Sequence, residues 1–404
     1  MSDTRILSTA LSSPANFTVS EVTHDLTVAA TPAAPAGSAP LGPLVAFTGN
    51  WTGQGFNTIF RPNSTKTPTA GFPVQPVGPS DNVLELNLTS ENLSFSPNLA
   101  AVPNRGSGAQ ADIFLNGVPY LQSINDVTTL PAQGIHLEPG IWLCVPATTT
   151  PAEGVTVARM ASIPHGTTIN AQGTFSSASG APTINPVDIT PFNPVNGVKV
   201  PAGTFPSQTA LNQNSFRIPQ NLAPYMAAGT ITQAMLTDPN TVLRQQIAHQ
   251  TITETATIQI STAPAAPLFG GGPANIAFLL GLNPPPPSGL GPNAQTVLMK
   301  ATFWIETVTY QVKVLPMNAG DAPLVLPPVQ TNPPVPLVPS FLVSIPFVEG
   351  KKFPGGTIAL STTQIQYSQE VVLNFNGLSW PHVSVATLVP ADPVSVPAYL
   401  LPLT

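Results

Sequence analysis

The chain has 404 residues, of which only 7% are charged while 42% are hydrophobic and 50 are prolines. A chain with so few charges lacks the Glu–Lys pairs that support long exposed helices, so strands and loops are expected to dominate. The net charge of −6, with the 12 basic residues dispersed along the chain, argues against nucleic acid as a partner.

The first part of the chain changes from a proline-rich leader to a series of strands. Residues 1–43 are rich in Ala, Pro, Ser and Thr and are predicted to form an extended lead-in. Patterns typical of strands follow at residues 44–60, 83–95, 113–120, 135–145, 155–163 and 167–175.

The second part contains one helical stretch and then returns to strands. Residues 223–250 carry the best helical pattern, and Asp238-Pro239-Asn240 suits an N-terminal cap within it. Strand patterns follow at residues 251–262, 296–315, 341–348, 357–366, 371–375 and 383–389. The chain is therefore divided into the lead-in 1–43, a β-barrel-type region 44–264 with a helical insertion at about 223–250, and a second β-rich region 265–404. Two alternatives stay open for the second region: it completes the same barrel, or it forms a separate β-domain.

A glycine-rich motif around Trp51 opens the first predicted strand. It reads Gly49-Asn50-Trp51-Thr52-Gly53-Gln54-Gly55 and leads into the apolar segment 56–60. Glycine within a strand marks a bend or the close approach of another backbone, and a large aromatic residue beside it suits a plug at the end of a small barrel. The motif resembles the opening of the nitrobindins, heme-binding β-barrels related to the lipocalins and the fatty-acid-binding proteins.

The resemblance implies a mainly β fold, namely a lipocalin- or nitrobindin-like antiparallel β-barrel elaborated by long proline-rich loops and a short helical insertion. It also implies a heme cofactor. Nitrobindins carry their heme-ligating histidine near the C-terminus, and His382, in Trp380-Pro381-His382-Val383, lies at a similar place. A heme-ligating imidazole is neutral and lies in a cleft of apolar and aromatic side chains. His382 is thus the expected metal ligand, with Trp380, Trp51 and Arg159 as further heme-binding residues. The alternative for His382 is a strand-end residue with a satisfied hydrogen bond.

Two residues are candidates for catalysis. His165 stands in the turn Pro164-His165-Gly166, which would present an imidazole at a barrel mouth as a general base or reserve ligand; the alternative is a plain polar turn residue. Glu254, like Glu306, lies among apolar or threonine neighbours on a predicted strand, which suits an inward-facing acid with a raised pKa.

Three other residues have interpretations of their own. His136 and Glu138 lie on one strand face, as an acid–base couple or as a surface ion pair. Arg159, on an apolar strand, is expected to pair with Glu254, with Glu306 or with a heme propionate.

These observations support three functions. The first is a heme-binding barrel that acts on a small hydrophobic or peroxide-type substrate. The second is a cofactor-free, lipocalin-like carrier or enzyme for a hydrophobic small molecule, and the third is a structural β-protein. The expected partner is heme or a small hydrophobic molecule, without nucleic acid or membrane, and a homo-oligomer stays open. The N-terminus lacks the apolar stretch of a secretory signal and no run is long enough for a transmembrane helix, so a cytoplasmic protein is expected.

Overall fold

The computed structural model describes residues 40–62, 82–163, 166–264, 271–276, 293–326 and 337–404. Ten long strands form a closed antiparallel barrel, which confirms the predicted fold class. They are β1 (Gly49–Arg61), β2 (Val83–Phe95), β3 (Ile113–Asp126), β4 (Gln133–Val145), β5 (Thr156–Ser162), β6 (Thr167–Ser179), β7 (Thr251–Ser261), β8 (Gln295–Val314), β9 (Gly356–Phe375) and β10 (Leu378–Pro390).

The barrel is a simple up-and-down meander. Each strand pairs with the next one in the sequence, and β10 closes the barrel by pairing with β1. Strands β1 to β7 precede residue 265 and β8 to β10 follow it, so both β-rich regions contribute to one closed sheet. Closure leaves the ten strands without a free edge.

Shorter elements decorate the barrel. The short strands are Val102–Asn104, Thr148–Thr149, Ala152–Glu153, Arg217–Ile218, Gly272–Asn275, Met317–Asn318, Leu324–Leu326, Phe341–Val343, Lys352–Phe353 and Val394–Ser395. Three 3-10 helices are described, at Gly42–Ala46, Pro206–Gln208 and Ala398–Leu400. No helix in the described part of the chain is long and apolar enough to cross a lipid bilayer.

Some predicted boundaries are wrong. The first strand begins at Gly49, because residues 42–46 form a 3-10 helix with Pro43 in its first turn, where the fixed φ of proline is favourable. The predicted strands 357–366 and 371–375 are one continuous strand, β9. Of the predicted strand 341–348, only Phe341–Val343 pairs as a strand.

The helical insertion lies between β6 and β7 and contains α1 (Ala223–Ala228), α2 (Gln233–Thr237) and α3 (Thr241–Ile247). Thr232 caps α2 by accepting a hydrogen bond from the backbone N–H of Met235. The apolar side chains Met235, Leu236 and Leu243 belong to a cluster that also contains Phe56 of β1, on the outer wall of the barrel. The insertion therefore covers one side of the barrel rather than its lumen.

Alternation along the strands separates the lumen from the outer wall. Phe303 of β8 packs in the luminal cluster, whereas its neighbour Trp304 packs in the outer cluster. One end of the lumen is filled by Phe47, Trp51 and Phe95, with the Phe47 and Phe95 rings stacked at 4.7 Å. The aromatic plug predicted from the Trp51 motif is therefore present.

The glycines of the motif allow close strand contact. A Cβ on Gly55 would lie 2.2 Å from the carbonyl oxygen of Val385 on β10, closer than van der Waals contact permits. Gly53 is similarly crowded, at 2.8 Å from the Thr387 carbonyl oxygen. The close backbone approach predicted from these glycines is therefore observed.

Candidate functional site

A set of polar side chains shares the lumen with the aromatic plug. They come from β1 to β5, β9 and β10, and alternate along their strands with residues of the luminal cluster. The set consists of Asn57, Asn87, Thr89, Glu91, Tyr120, Gln122, His136, Glu138, Arg159, Tyr367, Gln369, His382 and Ser384. Fully buried acids are unusual in a protein core, so this set is the strongest candidate for a functional site.

Glu138 and Arg159 form the charged centre of the set. Their side chains are 0% and 2% exposed, and Arg159 Nη2 lies 2.5 Å from Glu138 Oε1. The Tyr120 hydroxyl donates to the same carboxylate oxygen and accepts a hydrogen bond from Arg159 Nε at 2.8 Å. His136 Nε2 lies 3.1 Å from the second oxygen, Glu138 Oε2. Three side chains therefore meet at the Glu138 carboxylate.

Arg159 also spans the lumen. Its Nη1 donates to Gln369 Oε1 on β9 at 2.7 Å, although three strands separate β5 from β9 around the barrel. The guanidinium carbon lies 5.3–5.6 Å from the ring centroids of Tyr120, Trp142 and Phe303, within range of cation–π attraction. The carboxylate that pairs with Arg159 in the structure is therefore Glu138, which was not among its predicted partners Glu254, Glu306 and a heme propionate.

A glycine positions Tyr120. Gly140 lies opposite Tyr120 on the neighbouring strand, and a Cβ at Gly140 would lie 2.5 Å from Cζ and Oη of the tyrosine ring. Because that Cβ is missing, the ring can lie across Gly140 with its hydroxyl on Glu138. The missing side chain of Gly140 thus leaves the space in which the Tyr120 ring lies.

Glu91 forms a second centre, and its hydrogen-bond partners among the described residues are all neutral. The Tyr367 hydroxyl lies 2.9 and 2.8 Å from the two carboxylate oxygens, and Gln122 Nε2 donates to Oε2 at 3.1 Å. The Thr89 hydroxyl donates to Oε1 at 3.3 Å. Gln122 also approaches the Tyr367 hydroxyl at 3.3 Å, so β2, β3 and β9 meet across the lumen.

The two carboxyl groups have opposite electrostatic settings. Burial alone would raise the pKa of Glu138, but the charge of Arg159 and the hydrogen bonds from His136 and Tyr120 lower that pKa to about 2. Burial raises the pKa of Glu91 to about 7, because the hydrogen bonds of Tyr367 and Gln122 offset only part of the desolvation. Neighbouring acids with separated pKa values are typical of acid–base sites. These settings favour the ionised form of Glu138 and, for Glu91, a pKa close to neutral pH.

His136 connects this pair of centres to solvent. Its side chain is 16% exposed, whereas Glu138 is 0% exposed. Its charge when protonated also lowers the pKa of Glu91, which places it near both acids. The interpretation of His136 and Glu138 as a surface ion pair is therefore wrong, because Glu138 lies in the lumen.

His382 lies on the luminal face of β10 with polar neighbours. Asn57 Nδ2 lies 2.7 Å from both His382 Nε2 and Ser384 Oγ, and Asn57 Oδ1 accepts from Asn87 Nδ2 at 3.3 Å. An amide nitrogen only donates, so His382 Nε2 carries a lone pair and the ring is neutral in this arrangement. That form of the imidazole is the one that ligates iron.

The other residues predicted to hold heme do not surround His382. Trp51 pairs with Pro390, eight residues along β10 from His382, which corresponds to roughly 26 Å. Trp380 packs in the outer cluster, stacked on Phe375 at 4.7 Å. Arg159 uses three of its five N–H donors on Tyr120, Gln369 and Glu138. As a set these residues do not fit a heme, and of the four only His382 has the chemistry of an iron ligand.

The predicted catalytic residues lie elsewhere. His165 lies outside the described residues. Glu254 alternates with Ala256 and Ile258 and so shares the luminal face of β7, but it is exposed, so the expectation of a buried acid with a desolvated carboxyl group is wrong for it. Glu306 is buried, but on the outer wall: its Oε2 accepts from Gln364 Nε2 at 2.6 Å.

The sequence interpretation did not single out Glu91, Tyr120 or Tyr367. One signal was available for Glu91, because it alternates with the apolar Leu93 and Phe95 and so shares their face. No local signal places Tyr367 beside Glu91, since the two residues are 276 positions apart. Among the residues that the structure covers, no group of three or more His, Cys, Asp or Glu side chains is arranged to hold a metal ion.

Comparison with known proteins does not identify a family for this chain. No family model and no curated protein matches the chain. Among solved structures, the crystal structure of Rv2717c from M. tuberculosis is similar over 88% of this chain and 99% of its own, with 11% identity and a TM-score of 0.33. A likeness at that TM-score carries no argument about fold or function.

Proposed function

We propose that the barrel lumen binds a small neutral molecule and transfers protons to or from it, with Glu91 as the exchanging group. The observation that carries this proposal is the contrast between two buried acids. Glu138 is neutralised by Arg159 at 2.5 Å, whereas Glu91 is held by the neutral donors Tyr367, Gln122 and Thr89. A core that served stability alone would gain more from apolar side chains, because buried acids are costly.

Each luminal group has a role in this chemistry. Glu91 takes or returns the proton, and the Tyr367 hydroxyl stabilises its anion by hydrogen bonding. Glu138, Arg159 and Tyr120 form a fixed frame that places a preorganised charge next to the site. The partly exposed His136 lies 3.1 Å from the second oxygen of Glu138 and connects the frame to solvent. The reaction class is therefore an isomerisation or elimination that begins with proton abstraction from carbon.

The test uses 5-nitrobenzisoxazole as a neutral probe of proton abstraction. A base removes its C3 proton, the N–O bond breaks, and a nitrile and a phenolate form in one step. We expect the wild-type protein to accelerate this elimination, with a rate that rises through pH 7 as Glu91 ionises. Glu91→Gln should reduce the rate to that of the buffer.

The matched control is Glu306→Gln, which changes a buried acid on the outer wall and should keep the rate. A wild-type rate equal to that of buffer, or a rate that survives Glu91→Gln, would overturn the acid–base proposal. Fluorescence of the neutral dye 1-aminoanthracene distinguishes the remaining case. Saturable dye binding without elimination would indicate a carrier of hydrophobic molecules.

A second candidate, heme binding through His382, is favoured by one observation. His382 Nε2 accepts a hydrogen bond from Asn57 at 2.7 Å, so the nitrogen that would ligate iron is unprotonated. A bound heme would supply redox chemistry. Hemin titration tests this candidate: a Soret band that Asn57→Ala retains and His382→Ala loses would support it, and a band unaffected by His382→Ala would refute ligation by this residue.

A further inference from the structure

Residues 180–192, here called the arch, cross the outer wall of the barrel. At one end, Gly180 N–H donates to the Thr253 carbonyl at 2.9 Å, and the Thr255 hydroxyl donates to the Gly180 carbonyl at 2.8 Å. At the other end, Phe192 and Ser379 exchange two backbone hydrogen bonds, of 3.0 and 2.8 Å. The arch therefore runs from β7 to β10 and passes over β8 and β9.

The arch is also fixed along its length. Arg244 Nη1 of α3 donates to the Ile184 carbonyl at 3.1 Å, and Asn240 Nδ2 donates to the Asn185 carbonyl at 2.7 Å. Side chains of the helical insertion thus fix the position of the arch over the outer wall. The space beneath it is built into the fold and needs no rearrangement to form.

A polar floor lies under the arch. Gln259, Thr302 and Ser368 are in register on β7, β8 and β9, so their side chains form a row on the outer wall. The next row contains Lys300 and Glu370, which pair at 2.9 Å. Hydroxyl and amide groups both donate and accept hydrogen bonds, and this row faces the cleft from three adjacent strands.

The cleft between arch and floor has a volume of about 900 Å³, which is within the range of small-molecule sites. Its charged lining residues balance in two ion pairs, Lys300 with Glu370 on the floor and Lys199 with Asp188 beside the arch. The lining is thus neutral overall and rich in hydroxyl and amide groups.

We propose that this cleft is a second binding site, separate from the lumen, for a neutral hydroxyl-rich molecule of the oligosaccharide class. Sugar hydroxyls both donate and accept hydrogen bonds, which matches the hydroxyl and amide groups of the Gln259, Thr302 and Ser368 row. The balanced ion pairs disfavour a ligand with a net charge of either sign.

The test is a calorimetric titration of the full chain with two neutral probes, maltotriose and cellotriose. We expect saturable binding of at least one probe. Thr302→Ile and Ser368→Ile each remove one hydroxyl from the floor and should weaken binding about tenfold, the effect of one lost hydrogen bond. Both replacements suit a strand, so the fold is expected to persist.

The control is Gln311→Leu, an exposed change on β8 outside the cleft, which should leave binding unchanged. The proposal is overturned if neither trisaccharide binds, or if binding survives both cleft variants at full strength. Thermal unfolding of each variant shows whether weakened binding comes from loss of the fold. The outcome is independent of the lumen, because the elimination of 5-nitrobenzisoxazole does not involve the outer wall.

Discussion

The ion pair between Arg159 and Glu138 is the residue-scale feature on which the lumen depends. Both side chains are almost completely buried, and each is the main source of compensation for the other. Removing one member of such a pair leaves an uncompensated charge in a medium of low dielectric. Removing one member of the pair is therefore expected to destabilise the fold by more than the attraction between the two charges stabilises it.

We predict that Arg159→Met destabilises the protein by about 3–5 kcal/mol, the usual cost of leaving one buried partner unpaired. The double variant Arg159→Met/Glu138→Gln should recover part of this loss, because the orphaned carboxylate is then neutral. Urea denaturation of the wild type, both single variants and the double variant forms a cycle that isolates the coupling. Additive effects of the two changes would contradict a direct pairing.

At the scale of elements, α3 rests on a polar patch of the outer wall that contains a buried acid. Gln250 Nε2 donates to Gln364 Oε1 at 2.9 Å, and Gln364 Nε2 donates in turn to Glu306 Oε2 at 2.6 Å. Glu306 Oε1 and the Tyr310 hydroxyl are buried and have no hydrogen-bond partner among the residues that the structure describes. Burial raises the pKa of Glu306 to about 8, which favours the neutral form of the side chain at physiological pH.

We predict that the docking of α3 weakens as the pH rises through 8. Ionised Glu306 would place a charge beneath the helix with one hydrogen-bond donor to stabilise it. Hydrogen exchange of the α3 amides, corrected for intrinsic rates, should show protection that falls above pH 8 in the wild type. Glu306→Gln should keep its protection, whereas the exposed Glu254→Gln should behave like the wild type. Equal pH dependence in all three proteins would refute the role of Glu306.

The positions of the strands were largely predictable from the sequence, whereas the residues that they bring into contact were not. Alternation located most barrel strands, and the Trp51 motif indicated both the aromatic plug and the close strand contact. Gly140 shows what could not be predicted from the sequence. Its missing Cβ matters because Tyr120 lies opposite it, and the sequence alone does not reveal that these two residues pair. Likewise Glu254 and Glu306 have similar neighbours in sequence, but Glu254 is exposed whereas Glu306 is buried beneath the helical insertion.

At the scale of the whole molecule, three buried acids set how stability depends on pH. Glu138 has a pKa of about 2 in the folded protein against an ordinary value of 4.5, so its stabilisation is present above pH 4.5 and is lost as the pH falls toward 2. Glu91 and Glu306 have raised pKa values of about 7 and 8. The folded form holds these two protons more tightly than the unfolded chain does, so stability falls as the pH rises from 4.5 toward 8.

We therefore predict a stability maximum near pH 4.5–5, on the acidic side of neutrality. Below this pH stability falls because Glu138 becomes protonated (the acid limb), and above it stability falls because Glu91 and Glu306 ionise (the alkaline limb). Each acid contributes a slope of about 1.4 kcal/mol per pH unit where only one state binds its proton. Thermal unfolding between pH 3 and 9 measures this profile. The double variant Glu91→Gln/Glu306→Gln should flatten the loss above pH 4.5 and leave the acid limb, which belongs to Glu138, unchanged. A maximum near pH 7 in the wild type, with the same alkaline limb in the double variant, would show that the two acids are ionised in the folded protein.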